Sequence, residues 1–288
     1  MRPIEELSTH AEATRQRPGV PDDVVMEDLA EELSLLGEVS PPVDLPLLAS
    51  LQSIGEIDEC LTGGHSGCLI NDRGRLRIEV SALDRRERQR FTIGHEICHT
   101  MLPGFTMQRN FRCTPGRSSP GAGRGLNIEW LADVGASELL LPRRFAGPAF
   151  ADAPFGWDSI EHIAATFEAS LEATARRFVR LSPSNAIFAS LTFATSRANP
   201  IPELRVASSA TSPRLEAFIP INKSIPRDHP AFNASLGEDV DTVVDMTALR
   251  APGPYRINAR PYPINNSEGE TTMRVLLIGI QQIRTLRE

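Results

Sequence analysis

Apolar residues recur every three or four positions over some stretches of the chain and every second position over others. Val24, Val25, Leu29, Leu33 and Leu36 give Asp22–Leu36 a helical stripe. Pro41-Pro42 interrupts the pattern, and Val43–Leu51 predicts a short helix with Pro46 in its first turn. Gly55–Glu59 starts a strand, and Cys68–Asn71 and Arg75–Val80 follow as strands around the turn Asn71-Asp72-Arg73-Gly74. Together they predict a small antiparallel sheet. A second helix contains Phe91, Ile93, Ile97 and Met101 and ends before Pro103-Gly104. A third, from Glu129 to Leu141, buries Leu131, Ala132, Gly135 and Leu139. Ser159–Leu181 reads as two helices meeting at Glu168–Ser170, with Ile160, Ile163, Ala164, Phe167, Leu171, Ala175, Phe178 and Leu181 facing inward. After residue 184 the period shortens. Ala186–Phe193, Leu204–Ala207, Ala217–Ile221, Asp241–Met246, Tyr255–Pro263 and Met273–Ile280 read as strands of a mainly antiparallel sheet. Residues 1–20 are polar and predict a frayed arm. Cys113–Gly125 is rich in Gly, Pro and Ser and predicts a flexible loop, either a cover for a cleft or an inert insertion.

Composition narrows the class. With 288 residues and 41% hydrophobic content, the chain can bury a large core. A formal net charge of -7 gives no global basic field for nucleic acid. Lys223 is the one lysine, so arginine carries nearly all positive charge. Cys60, Cys68, Cys98 and Cys113 form no C-x-x-C pair, the N-terminus has no signal core, and no apolar run is long enough to span a membrane. A cytoplasmic protein with reduced thiols is the expectation.

The candidate chemistry lies in His95-Glu96-Ile97-Cys98-His99, an H-E-x-x-H arrangement. Two helical residues four apart project from one face, so both imidazoles can ligate one zinc ion, and Glu96 can reach a water beside it. Glu129 and Asp133 are also four apart. Glu129 suits a third ligand, and Asp133 suits a hydrogen-bond acceptor for the far nitrogen of a ligating histidine. The same two acids also suit a solvated helix start. His65 sits in a glycine-rich turn and reads as a surface histidine. Cys98 reads as a small buried apolar residue. Arg85, Arg86, Arg88 and Arg90, interleaved with Glu87, read as a solvated helix face.

Arg88–His99, Glu129 with Ala132-Asp133, and Leu139-Leu140-Leu141-Pro142 resemble the ImmA/IrrE family of bacterial and phage metallopeptidases. The resemblance runs from about Ile78 to Leu181. It implies a gluzincin-like site in which His95, His99 and Glu129 bind zinc and Glu96 is the general base. It implies a specific protein substrate, usually an Xre-type helix-turn-helix repressor, whose cleavage switches on stress-response or mobile-element genes. At Gly135 the chain departs from the family, which usually has a bulky aromatic there. The expected fold is α+β: a zincin-like metallopeptidase domain at 1–150, a helix-turn-helix-like segment at 151–183, and a C-terminal α+β domain at 184–288, where some family members carry a GAF-like sensor. The helical segment has two readings. Arg176, Arg177 and Arg180 suit DNA binding, whereas the acidic overall charge favours packing on the peptidase core. His65, Tyr255 and Tyr262 are candidates for oxyanion stabilisation. The competing functional reading is a non-enzymatic transcriptional regulator or partner-binding protein with a structural metal or none.

Overall fold

The structure is a computed structural model and describes residues 9–60, 64–103, 110–113, 127–196, 200–216, 218–265 and 271–282. The expected loop lies almost wholly outside these residues. The chain divides into two compact units, Met1–Ala146 with Ala164–Ser170, and Gly147–Ile163 with Leu171–Glu288. The segment at 151–183 is therefore shared between the units.

In the first unit, α1 (Thr9–Gln16), α2 (Asp22–Leu36) and α3 (Leu45–Leu51) precede β1 (Ile54–Cys60), β2 (Gly67–Asp72) and β3 (Arg75–Ser81). Next come α4 (Arg86–His99), β4 (Asn110–Cys113) and α5 (Ile128–Leu140). The start of α3 follows its sequence: Asp44 caps it by accepting from Leu47 N–H at 3.0 Å, with Pro46 in the first turn. The sheet order is β1-β3-β2-β4. β2 runs antiparallel to β3 and β4, but β1 pairs with β3 in parallel, so the sheet is mixed rather than antiparallel. The crossover arises because β1 and β3 share an orientation on either side of the β2 return. Leu69, Leu76, Ile78 and Val80 form the buried face. α4 packs on this sheet and on α5.

Three expectations change here. Residues 9–16 are helical, with His10 buried, its N–H bonded to Met101 O and its ring to Asp22 O, both at 3.1 Å. The arginine run is only in part a solvated face: Arg85 and Arg86 are exposed, but the later arginines turn inward. Arg90 is 5% exposed and donates to Val43 O, and Arg88 donates to Ser66 Oγ. Gly135 is explained by its neighbours, because a Cβ there would sit 2.6 Å from Cys98 Sγ and against Met26 Cε. Cys98 and Met26, both fully buried, occupy the space beside it. Gly135→Ala is expected to lower unfolding free energy by about 1–3 kcal/mol through overpacking, measured as a lower denaturant midpoint at unchanged slope. An unchanged midpoint would show that α4 and α5 can separate freely.

In the second unit, β5 (Ala186–Ala194), β6 (Glu203–Thr211), β7 (Val240–Asp245), β8 (Pro254–Asn265) and β9 (Thr271–Gln281) form one antiparallel sheet in the order β6-β5-β9-β8-β7. Strand alternation covers both faces. Ile187, Ala189 and Leu191 pack with Val206, Ile257 and Leu277 on one face. Ala186 and Phe188 pack with Leu276, Ile278, Trp157, Ala175 and Val179 on the other. Of the expected strand Ala217–Ile221, residue 217 lies outside the described residues, and 218–221 are not a strand. Ile219 is buried, and a turn follows at 221–222. After α6 (Arg143–Asp152), α7 (Trp157–Phe167) and α8 (Leu171–Leu181) meet where expected, and α8 packs on β5 and β6. Two of the three arginines that suit DNA are buried or bonded within the protein. Arg177 is 1% exposed, and Arg176 donates to Ser209 O and lies over the Phe188 ring.

Candidate metal centre

The backbone of α4 and α5 sets the site. α4 places His95 and His99 on one face, both 1% exposed. Their Nε2 atoms are 3.0 Å apart and their rings meet edge-on at 78°. α5 starts at an Asn127 cap that accepts from Trp130 N–H at 3.1 Å, and its first two turns turn Glu129 and Asp133 toward the histidines. Glu129 Oε2 lies 3.3 Å from His95 Nε2, and Glu129 Oε1 lies 3.6 Å from His99 Nε2. Asp133 Oδ1 accepts from His95 Nδ1 at 2.9 Å. This bond commits the other nitrogen, Nε2, to the shared space. A Cβ at Gly94 would meet Ala136 Cβ at an ordinary 3.5 Å, so the approach of α5 does not itself demand glycine there.

These spacings fit a cation. Four ligands at about 2.05 Å in tetrahedral array are separated by about 3.3 Å, close to the distances observed. Ligand-type atoms of His95, His99 and Glu129 all lie within 4.8 Å of one another, the one such group among the described residues. Glu96 is fully buried, faces the backbone of Leu69 and makes no side-chain hydrogen bond. A buried carboxylate so sparsely bonded is costly unless a positive charge or a polar reactant faces it.

The electrostatics agree. Burial opposes a charge on His95, but hydrogen bonds to Asp133 and Glu129 outweigh it and raise its pKa to about 9. Burial, then the charge on His95, pushes His99 down to about 3. Burial raises Glu96 to about 8, with His95 pulling the other way. Burial also works against ionised Glu129, yet the histidines hold its carboxyl below the usual range. A protonated His95 thus faces a neutral His99 across the space where a divalent cation would fit.

The five residues picked from the sequence, His95, Glu96, His99, Glu129 and Asp133, come together here. Of the oxyanion candidates, Tyr255 is fully buried in one core cluster of the second unit and Tyr262 packs against the other. His65 is half-buried in the turn before β2. Arg90 and Glu168 escaped the sequence reading. The available signal was a glutamate at a two-helix joint, where glycine is usual.

Residues 64–179 match the family model for the peptidase M78, IrrE N-terminal-like domain. The match covers less than half of the chain, and this part resembles that domain. The M78 domain thus contains α4, α5 and the whole candidate centre. No curated protein matches the chain. Among solved structures, a Mycobacterium tuberculosis transcriptional regulator is similar at a TM-score of 0.57 and 15% identity, over 97% of this chain and 82% of that one. That likeness concerns the fold. No helix among the described residues is long and apolar enough to cross a membrane.

Proposed function

We propose that this chain is a zinc-dependent endopeptidase that cleaves a specific protein, an Xre-type helix-turn-helix repressor, and so releases stress-response or mobile-element genes. The convergence of His95 Nε2, His99 Nε2 and the Glu129 carboxylate beside the fully buried Glu96 carries this reading. His95, His99 and Glu129 hold the metal in it, and Asp133 fixes the His95 tautomer. Bound zinc supplies a Lewis acid that polarises the scissile carbonyl and acidifies water. Glu96 takes the proton from the attacking water and passes it to the leaving amine. Closure of α4 on β2 and α5 keeps bulk water from Glu96 and strengthens its electrostatic action. By analogy with zinc peptidases, the substrate adds as a strand to the edge of the first sheet. The five-stranded second unit is proposed as a GAF-like sensor.

The test is incubation of the full chain with a repressor of this class, with and without a chelator. Cleavage that stops on chelation and returns with zinc supports the proposal. The fold shared with a transcriptional regulator favours a second reading, a non-enzymatic regulator. A purified chain lacking stoichiometric zinc and cutting nothing would select it.

Metal affinity should depend on pH. Since the ion-free site holds a proton on His95 up to about pH 9, a dication must displace it. Affinity therefore rises with pH, by about tenfold per unit for each proton released, and levels off above the raised pKa. Competition titrations with a chromophoric chelator at pH 6.5 and 8 measure the slope. A flat profile would show that no proton is displaced.

A further inference from the structure

We infer that Glu168 is a positioning residue for the metal helix and acts through Arg90; the inference rests on the reading of His95, His99 and Glu129 as ligands. Arg90 lies on α4, five residues before His95, and is 5% exposed. Its Nη2 donates to Val43 O at 2.9 Å, its Nη1 lies 3.4 Å from Glu168 Oε2, and its Nε has no partner. Glu168 is thus the counter-ion of a buried guanidinium, and a buried charge without one is unfavourable. Glu168 also lies 4.0 Å from Arg86 Nε, at the start of the same helix.

Two further observations make this more than a chance ion pair. α4 begins at Arg85 without a side-chain cap, so its first turns depend on outside contacts, and a carboxylate beside a helix start is favourable. Glu168 also occupies a backbone position that suits glycine. Its φ is +50°, and it ends α7 with Ala169 N–H bonded to Ala164 O at 2.9 Å and its own N–H to Ala165 O at 3.3 Å. Glycine closes such a helix end with less strain. The strained conformation places a carboxylate where Arg90 needs it. Arg90 is then held from two remote parts of the chain, the Val43 carbonyl and the α7–α8 joint. A rigid helix carries that restraint along one and a half turns to His95 and on to His99. Residues 164–170 are also continuous at both ends with the second unit.

The test uses the full chain with Co2+ as the metal probe. Glu168→Gly relieves the backbone strain while removing the carboxylate, so the fold survives. A contact one layer beyond the ligands' own partners should matter less than the 10–100-fold of those partners, so about 3–10-fold weaker cobalt binding is expected. The ligand-field bands should shift, and amide exchange in the first turns of α4 should quicken. In an Arg90→Met background the same change should add nothing. Glu168→Gly with wild-type affinity, bands and exchange would overturn the inference. If the wild-type chain takes up no cobalt, the ligand reading fails, and the exchange rates alone decide whether Glu168 holds α4.

Discussion

Glu96→Gln is expected to keep the metal and to lower cleavage by about 10²–10⁴-fold, the range general-base catalysis contributes. The substitution keeps the shape of the side chain and removes its proton affinity. Glu96 is fully buried and faces the Leu69 backbone, a contact that the amide oxygen of glutamine can still accept, and it makes no side-chain hydrogen bond that an amide would break. Burial already drives its carboxyl toward the neutral form, to about 8, so the fold does not rely on an ionised group at this point. His95, His99 and Glu129 are untouched, and metal content should stay at one per chain. The loss should therefore fall on turnover with little change in KM, as for an interaction made in the transition state. Repressor cleavage followed on gels, with metal content measured on the same samples, gives both numbers. Cleavage at the wild-type rate would remove Glu96 from the mechanism.

What the sequence disclosed about this centre was mostly local. Four-residue spacing put His95 with His99 and Glu129 with Asp133 whatever the rest of the chain did, because helix geometry fixes those pairs. The helices themselves followed from apolar period and from the prolines that bound them, whereas the Asp44 and Asn127 caps came only with the structure. Long-range partners were not legible. Arg85–Arg90 has the composition of a solvated face, and only Val43 O and Glu168 make Arg90 a buried residue. The stripe on α8 announced a buried face but not that β5 and β6 would cover it. β1 looked like the start of a hairpin, and its parallel pairing with β3 is a matter of chain return, which strand pattern does not encode. His10 hid in a polar segment because its partners, Met101 O and Asp22 O, are backbone atoms with no side-chain signature.

His99→Ala tests the other half of the proposal and should abolish metal binding in practice. Changing a residue that merely supports a ligand costs 10–100-fold in affinity, so losing a ligand should cost more than 100-fold. Two ligands would remain, His95 and a Glu129 whose side chain is 46% exposed. In the ion-free chain His99 is neutral, since burial and the charge on His95 hold its pKa near 3. Its removal there takes away buried packing and the partner of His95 Nε2. Without zinc the wild-type and variant chains should therefore differ by the cost of a buried void and one lost hydrogen bond. With zinc they should diverge. At a thousandfold excess of metal over Kd, binding stabilises a fold by about 4.1 kcal/mol, and a hundredfold weaker site keeps well under half of that. Denaturant titrations with and without zinc measure both differences. If His99→Ala shows the same zinc-dependent rise as the wild type, the ion is bound elsewhere, and the pairing of α4 with α5 serves packing alone.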